Sequence, residues 1–195
     1  MGYIILVIFI ITAILCYLED YIKQYRLPLY CLIGFILILV AGLREVGIDP
    51  DSENYEYTYQ HYYSPLAENG VEYSYLLLSA IFNKITSDAH IIFIFYAAIG
   101  LSLKFIAFRK YKLPTFLPIL VYISFYFFLH ETTQIRTCVL SGILLLTIPK
   151  IAERKCKTAI IYLLIGTMFH VSAFLLFPLI FLNNKPLSKK QKIIC

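Results

Sequence analysis

Apolar residues in this chain come in blocks instead of alternating with polar ones. The blocks lie at 3–18, 29–43, 91–108, 115–129, 137–149 and 158–182. In hydrocarbon every backbone N–H and C=O must be satisfied within the protein, so only helices or a closed barrel can cross. The ten-residue alternation of a barrel strand is missing, so the blocks predict helices. Several are shorter than the ~20 residues that a crossing takes. Such helices extend into flanking polar residues or end inside the bundle. The pattern predicts an all-α, polytopic integral membrane protein with about six membrane helices or half-helices, forming a single membrane domain over 1–195.

Composition agrees. The chain is 60% hydrophobic and only 15% charged, with a mean hydropathy of +0.76, whereas soluble domains carry about 25% charged residues. The net charge of +5 does not point to nucleic acid, because the Lys and Arg sit between apolar blocks. The first block has no basic residue before it and no small-residue cleavage site after it, so it reads as an uncleaved membrane helix. Five scattered Cys without a Cys-x-x-Cys pair support neither a disulfide framework nor a zinc site.

Charge placement orients the helices. Lys23 and Arg26 follow the first block, Arg109, Lys110 and Lys112 the third, and Lys150, Arg154, Lys155 and Lys157 the fifth. Basic connections stay in the cytoplasm, which puts 19–28, 109–114 and 150–157 inside. The acidic segment 43–73, with Glu45, Asp49, Asp51, Glu53, Glu56, Glu68 and Glu72, then lies outside with 130–136. A single crossing by 158–182 would carry Lys185, Lys189, Lys190 and Lys192 outside. Two half-helices meeting near His170–Ser172, with both ends inside, fit the charges better, and Ser172 is placed to cap the second half.

The outer segment 49–86 predicts interfacial helices. Asp49-Pro50 reads as an N-cap followed by Pro at the first helical position, and Ser64-Pro65 as the end. Tyr55, Tyr59, Tyr62 and Tyr63 share one face, suited to the headgroup level. Glu72, Ser79 and Asn83 form a stripe on a second helix over 71–86. That helix, with both ends outside, dips in or lies on the surface.

Ionisable groups at membrane helices carry a functional expectation. Arg44 is suited to phosphate and Asp49 to a hydroxyl proton, although a snorkelling Arg and a capping Asp explain them as well. Asp49-Pro50-Asp51 spells a D-x-D pair, but without the strand–helix alternation of a nucleotide-sugar domain. Glu72 opens an apolar helix, where a carboxylate can serve as base or simply favour the helix N-terminus. Gln134 and Arg136 follow His130 and Glu131 in a short outer turn, and Arg suits bidentate phosphate recognition. His170 sits in mid-block, either as a core histidine or as a proton acceptor. His61 and His90 receive no role. The motifs HExxH, GxSxG and the P-loop are absent.

At these places the chain resembles the EpsG/Wzy-like polysaccharide polymerases of bacterial exopolysaccharide, capsule and O-antigen pathways. The matching words are Leu43-Arg44 with Val46-Gly47-Ile48-Asp49 and Tyr55, then Glu72-Tyr73, Gln134-Ile135-Arg136 and Phe169-His170-Val171-Ser172-Ala173, over about residues 40–182. Members are usually longer, so the chain is expected to be the N-terminal part of such a polymerase or a truncated copy. The resemblance implies a glycosyltransferase in the bacterial cytoplasmic membrane that joins undecaprenyl-pyrophosphate-linked repeat units. It implies Arg44 and Arg136 at the pyrophosphate with Gln134, Tyr55 and Ser172 around it, and His170, Asp49 or Glu72 as base. It implies no metal or other cofactor and no nucleic acid. Membrane lipids, and chain-length regulator and flippase proteins, are the implied company. A transporter or flippase subunit of the export pathway is the main alternative, and a membrane scaffold a further one.

Overall fold

The structure is a computed structural model, and it describes residues 1–64, 72–111 and 113–182. Pro65, Glu68, Lys112, Lys185, Lys189, Lys190 and Lys192, invoked above, lie outside the described residues. Among the described residues every regular element is helical, as the block pattern predicts. The helices are α1 (Gly2–Tyr17), α2 (Arg26–Gly42), α3 (Ser52–Gln60), α4 (Tyr73–Phe82), α5 (His90–Lys110), α6 (Leu117–Phe125), α7 (Ile135–Ala152) and α8 (Cys156–Phe169). A π-helical turn (Phe128–Thr133) joins α6 to α7, and a 3₁₀ segment (Val171–Phe181) follows α8.

Three stretches are long and apolar enough to cross a membrane: Lys23–Gly42, His90–Lys110 and Ile135–Ala152. Gly2–Tyr17, Tyr73–Phe82, Cys156–Phe169 and Val171–Phe181 are apolar but shorter. The bundle carries apolar side chains outward as well as inward. Ile4, Val7, Ile11 and Ile14 of α1 and Leu32 and Phe35 of α2 are all exposed, a surface that suits lipid and would be costly in water.

Helix α5 lies between α2 and α7. One of its faces joins Leu37 and Ala41 of α2, Ile5 and Ile8 of α1, and Ile119 and Ile123 of α6 in one core; Ile92, Phe93 and Tyr96 join a second core with α3, α4 and α7. The α5–α7 crossing is set by small residues. A Cβ on Gly100 would sit 2.3 Å from Cys138 Sγ, and one on Gly142 would sit 2.7 Å from Leu103 Cβ. Without a hydrophobic drive between helices in lipid, such close backbone approach supplies much of the attraction.

Two long-range bonds tie down one end of the bundle. Tyr30 Oη donates to the Phe105 carbonyl at 2.7 Å, and Tyr111 Oη to that of Leu145 at 2.7 Å. The same end carries Glu19, whose carboxylate accepts from Thr115 N–H at 2.8 Å. The acidic segment gathers at the other end.

Three local expectations are corrected there. Helix α3 starts at Ser52, not at Pro50, and ends at Gln60, before Ser64. Asp49 still serves its start: Oδ1 accepts from Asp51 N–H at 3.2 Å and Ser52 N–H at 3.0 Å. The tyrosine face turns partly inward, since Tyr55 and Tyr59 are buried while Tyr63 is exposed. Tyr59 Oη donates to the Thr86 carbonyl at 2.6 Å, and Tyr75 Oη to that of Tyr55 at 2.8 Å, so α3 is sewn onto α4 and the turn after it.

The block 158–182 breaks where its charges suggested. The chain leaves the helix at His170 (φ −155, ψ 128) and the 3₁₀ segment folds back along α8, bringing Ile180 against Ala159 and Cys156. The cap is His170, not Ser172, because its side chain accepts from Ser172 N–H. Helix α4 spans 73–82 instead of 71–86. At ~1.5 Å per residue its ten residues are far too short to cross.

Gly100→Val is expected to overpack the α5–α7 crossing and cost about 1–3 kcal/mol, measured as a lowered Tm in detergent. Gly2→Val, where an added Cβ meets nothing within 4 Å, is expected to leave Tm unchanged.

Candidate functional site

The acidic end is built on a turn that only glycine makes easily. Gly47 has φ +89, and its N–H donates to Ser52 Oγ at 2.9 Å. The turn brings Asp49 back to Arg44, with Nε to Oδ2 at 3.0 Å. Arg44 also donates to the Ala41 carbonyl at 2.8 Å, answering one of the open acceptors at the end of α2. Its guanidinium stacks 4.2 Å over the Phe93 ring, and its side chain is wholly buried. Arg44 and Asp49 therefore join α2, α5 and α3; they are not open to a ligand.

The open cavity lies beside them. It holds about 350 Å³ and is walled by Asp51, Tyr55, Gln134, Arg136, Thr137, His170 and Ser172. Each wall comes from a point where regular structure starts or stops. Tyr55 sits in the first turn of α3, Gln134 and Arg136 at the start of α7, and His170 and Ser172 at the break after α8. Glu72, the N-cap residue of α4, links them. One carboxylate oxygen, Oε2, pairs with Arg136 Nη1. The other, Oε1, lies 3.5 Å from His170 Nδ1 and accepts from Val171 N–H at 3.4 Å.

Arg136 completes the ring through Tyr55. Its Nε donates to Tyr55 Oη at 3.4 Å, and its guanidinium lies 5.5 Å from that ring's centre. Burial holds the Tyr55 phenol above its ordinary value, an effect that the charges of Arg136 and Arg44 only partly offset. The phenol therefore stays protonated.

His170 stands outside the three helices that are long and apolar enough to cross a membrane, and its state follows from its neighbours. Desolvation, and then the Arg136 charge, hold its pKa below the ordinary 6.5. Nδ1 accepts from Ser172 N–H at 3.1 Å and lies 3.0 Å from Ser172 Oγ. An accepting Nδ1 leaves the ring proton on Nε2. Ser172 and Glu72 both meet the same ring nitrogen, so the three do not form a nucleophilic relay, which needs one partner on each nitrogen. What the arrangement offers is a neutral imidazole beside a fixed cation, its Nδ1 lone pair held at rest by Ser172 N–H.

Six of the eight residues singled out from the sequence thus converge: Tyr55, Glu72, Gln134, Arg136, His170 and Ser172. Arg44 and Asp49 stand behind Tyr55, and the two guanidiniums do not share one opening. Among the described residues no three His, Cys, Asp or Glu side chains gather at metal-ligand spacing. Asp49 of the D-x-D pair is already committed to Arg44 and the α3 amides.

Sequence reasoning missed Lys104. It lies in the C-terminal third of α5, with Nζ 2.6 Å from Glu131 Oε1 and 2.8 Å from the Cys138 carbonyl. Tyr122 Oη donates to the same Glu131 oxygen at 2.5 Å. Lys104 and Glu131 are 1% and 0% exposed. This clamp fixes the π-turn and the first turn of α7, the stretch that carries Gln134 and Arg136. The signal was one Lys within an apolar block and one Glu in the outer turn, which nothing local joins. Lys104→Met strands a buried carboxylate and is expected to cost about 3–5 kcal/mol, read as a fall in Tm. Lys104→Met with Glu131→Gln is expected to recover most of that loss; an equal fall in the double variant contradicts the clamp.

A family model described as the EpsG family matches residues 27–195. No curated protein and no solved structure matches the chain. The matched stretch takes in every residue of the cavity and Lys104, Glu131 and Tyr122 of the clamp, leaving out α1, the turn after it and Arg26 at the start of α2. The chain belongs to the EpsG family, which supports a membrane role of polymerase type in polysaccharide biosynthesis.

Proposed function

We propose that the cavity transfers glycosyl groups outside the cytoplasmic membrane, joining undecaprenyl-pyrophosphate-linked oligosaccharide repeat units into a surface or exopolysaccharide. The observation that carries this reading is the Arg136–Glu72–His170 constellation, assembled from three chain breaks at one end of the bundle around an open cavity. The charge pattern turns that end away from the cytoplasm.

In the reaction an acceptor sugar hydroxyl attacks C1 of the lipid-linked donor. The new C1–O bond forms as the bond from C1 to the phosphate oxygen breaks, and its electron pair leaves with the lipid pyrophosphate. Arg136 faces the charge that gathers there; a fixed guanidinium in a site of low dielectric stabilises it more than it stabilises the ground state. The acceptor proton goes to His170 Nδ1, whose lone pair lets go of the Ser172 N–H that it accepts at rest, and the new N–H is taken up by Glu72 Oε1, 3.5 Å from the same nitrogen. Glu72 holds both groups and steadies the imidazolium as it forms. Arg44 and Asp49 act through α3, by fixing Tyr55 against Arg136. The donor carries its own leaving group, so no nucleotide site is needed.

An ion-coupled transporter also uses charge among membrane helices. Polymerisation accounts better for a cation and a neutral imidazole that share one carboxylate at an open cavity.

Arg136→Ala is expected to abolish long-chain polymer in a polymerase-deficient strain complemented with this gene, while the protein stays in the membrane. A normal length ladder removes the mechanism. His170→Ala is expected to lower turnover by about 10²–10⁴-fold with little change in KM. Because protonation removes the lone pair, wild-type turnover is expected to stay level through neutral pH. It should fall only as pH drops through a value below 6.5, and His170→Ala should lose that limb.

A further inference from the structure

The end of the bundle opposite the cavity carries a second recess. A cup of about 250 Å³ opens between the start of α2 and the end of α5, walled by Arg26, Tyr30, Phe108, Arg109 and Thr115 among others. Tyr30 and Arg109 also wall a mostly apolar groove of about 340 Å³, which runs along the α2–α5 seam past Phe35, Ile38 and Ser102. A polar cup and an oily furrow that meet at the same two residues match the two halves of one phospholipid.

We propose that this recess binds one anionic phospholipid, with its phosphate at Arg109 in the cup and one acyl chain along the α2–α5 groove. Arg26 alone would not select charge, because Glu19 and Asp20 answer it at 3.7 and 3.1 Å. Arg109 has no ion pair among the described residues and closes the wall that cup and groove share. Tyr30 cannot swing away to close the furrow, since its hydroxyl is bound to the Phe105 carbonyl at 2.7 Å. The basic connections place this end in the cytoplasmic leaflet, where one guanidinium near the surface favours an anionic over a zwitterionic headgroup roughly fivefold. The groove distinguishes a lipid from a free anion, which would occupy the cup alone.

The test is native mass spectrometry of the full chain in detergent, doped with phosphatidylglycerol or phosphatidylcholine, with and without millimolar inorganic phosphate. Wild type is expected to retain one phosphatidylglycerol roughly fivefold better than phosphatidylcholine. Arg109→Gln is expected to bring that preference near unity. Ser102→Phe, an exposed position in the groove, is expected to lower retention of both lipids while every charge remains. Equal retention of the two lipids by wild type, or an unchanged preference in Arg109→Gln, overturns the proposal. Displacement by inorganic phosphate with Ser102→Phe behaving as wild type assigns the cup to a free anion and also overturns it.

Discussion

A single carboxylate organises the candidate site. Glu72 stands at the start of a short helix that does not cross the membrane, and its two oxygens meet groups from two other places in the chain. Oε2 takes the Arg136 guanidinium, and Oε1 lies against His170 Nδ1 and Val171 N–H. Without it, Arg136 and the imidazole would face each other as a cation and a group that the cation discourages from protonating. With it, the cation is held in place and its field is partly cancelled where a proton has to arrive. The energetic cost of keeping a carboxylate and a guanidinium 10% and 17% exposed is bearable only because each is the other's partner.

The fold serves this carboxylate by ending its helices early. A membrane favours uninterrupted helices, since each break exposes backbone groups that lipid cannot satisfy. Here the breaks fall together, and the site's own residues answer them. Asp49 takes the first amides of α3, His170 takes the amide of Ser172, and Glu72 takes that of Val171. The π-turn before α7 is closed by the Lys104–Glu131–Tyr122 clamp. Groups that would be liabilities in isolation are thereby turned into scaffold and cavity wall.

Much of this was legible in the sequence, for a physical reason. Helices in a bilayer advertise themselves by composition, so the blocks at 91–108 and 137–149 predicted α5 and α7 within a few residues. Charge predicted the fold-back at His170–Ser172, because a straight crossing would carry lysines the wrong way. Helix edges were less legible. Asp49-Pro50 reads as a helix start, yet Asp49 reaches forward over a turn and the helix begins at Ser52. What pattern could not give was pairing across distance. Arg44 and Arg136 look alike in sequence, and only the fold shows one sealed under Phe93 and Asp49 and the other at the cavity. Lys104 was silent because its partner lies 27 residues away.

The proposed reaction requires a cavity that opens away from the cytoplasm and takes up the lipid-linked sugar. Thr137 lines it, so a lone cysteine at that position reports on both points, with Cys16, Cys31, Cys138, Cys156 and Cys195 replaced. A membrane-impermeant maleimide is expected to label Thr137→Cys in intact cells, and added lipid-pyrophosphate-linked oligosaccharide is expected to protect it. Labelling from the cytoplasmic face alone, or labelling that the substrate leaves unchanged, would contradict it.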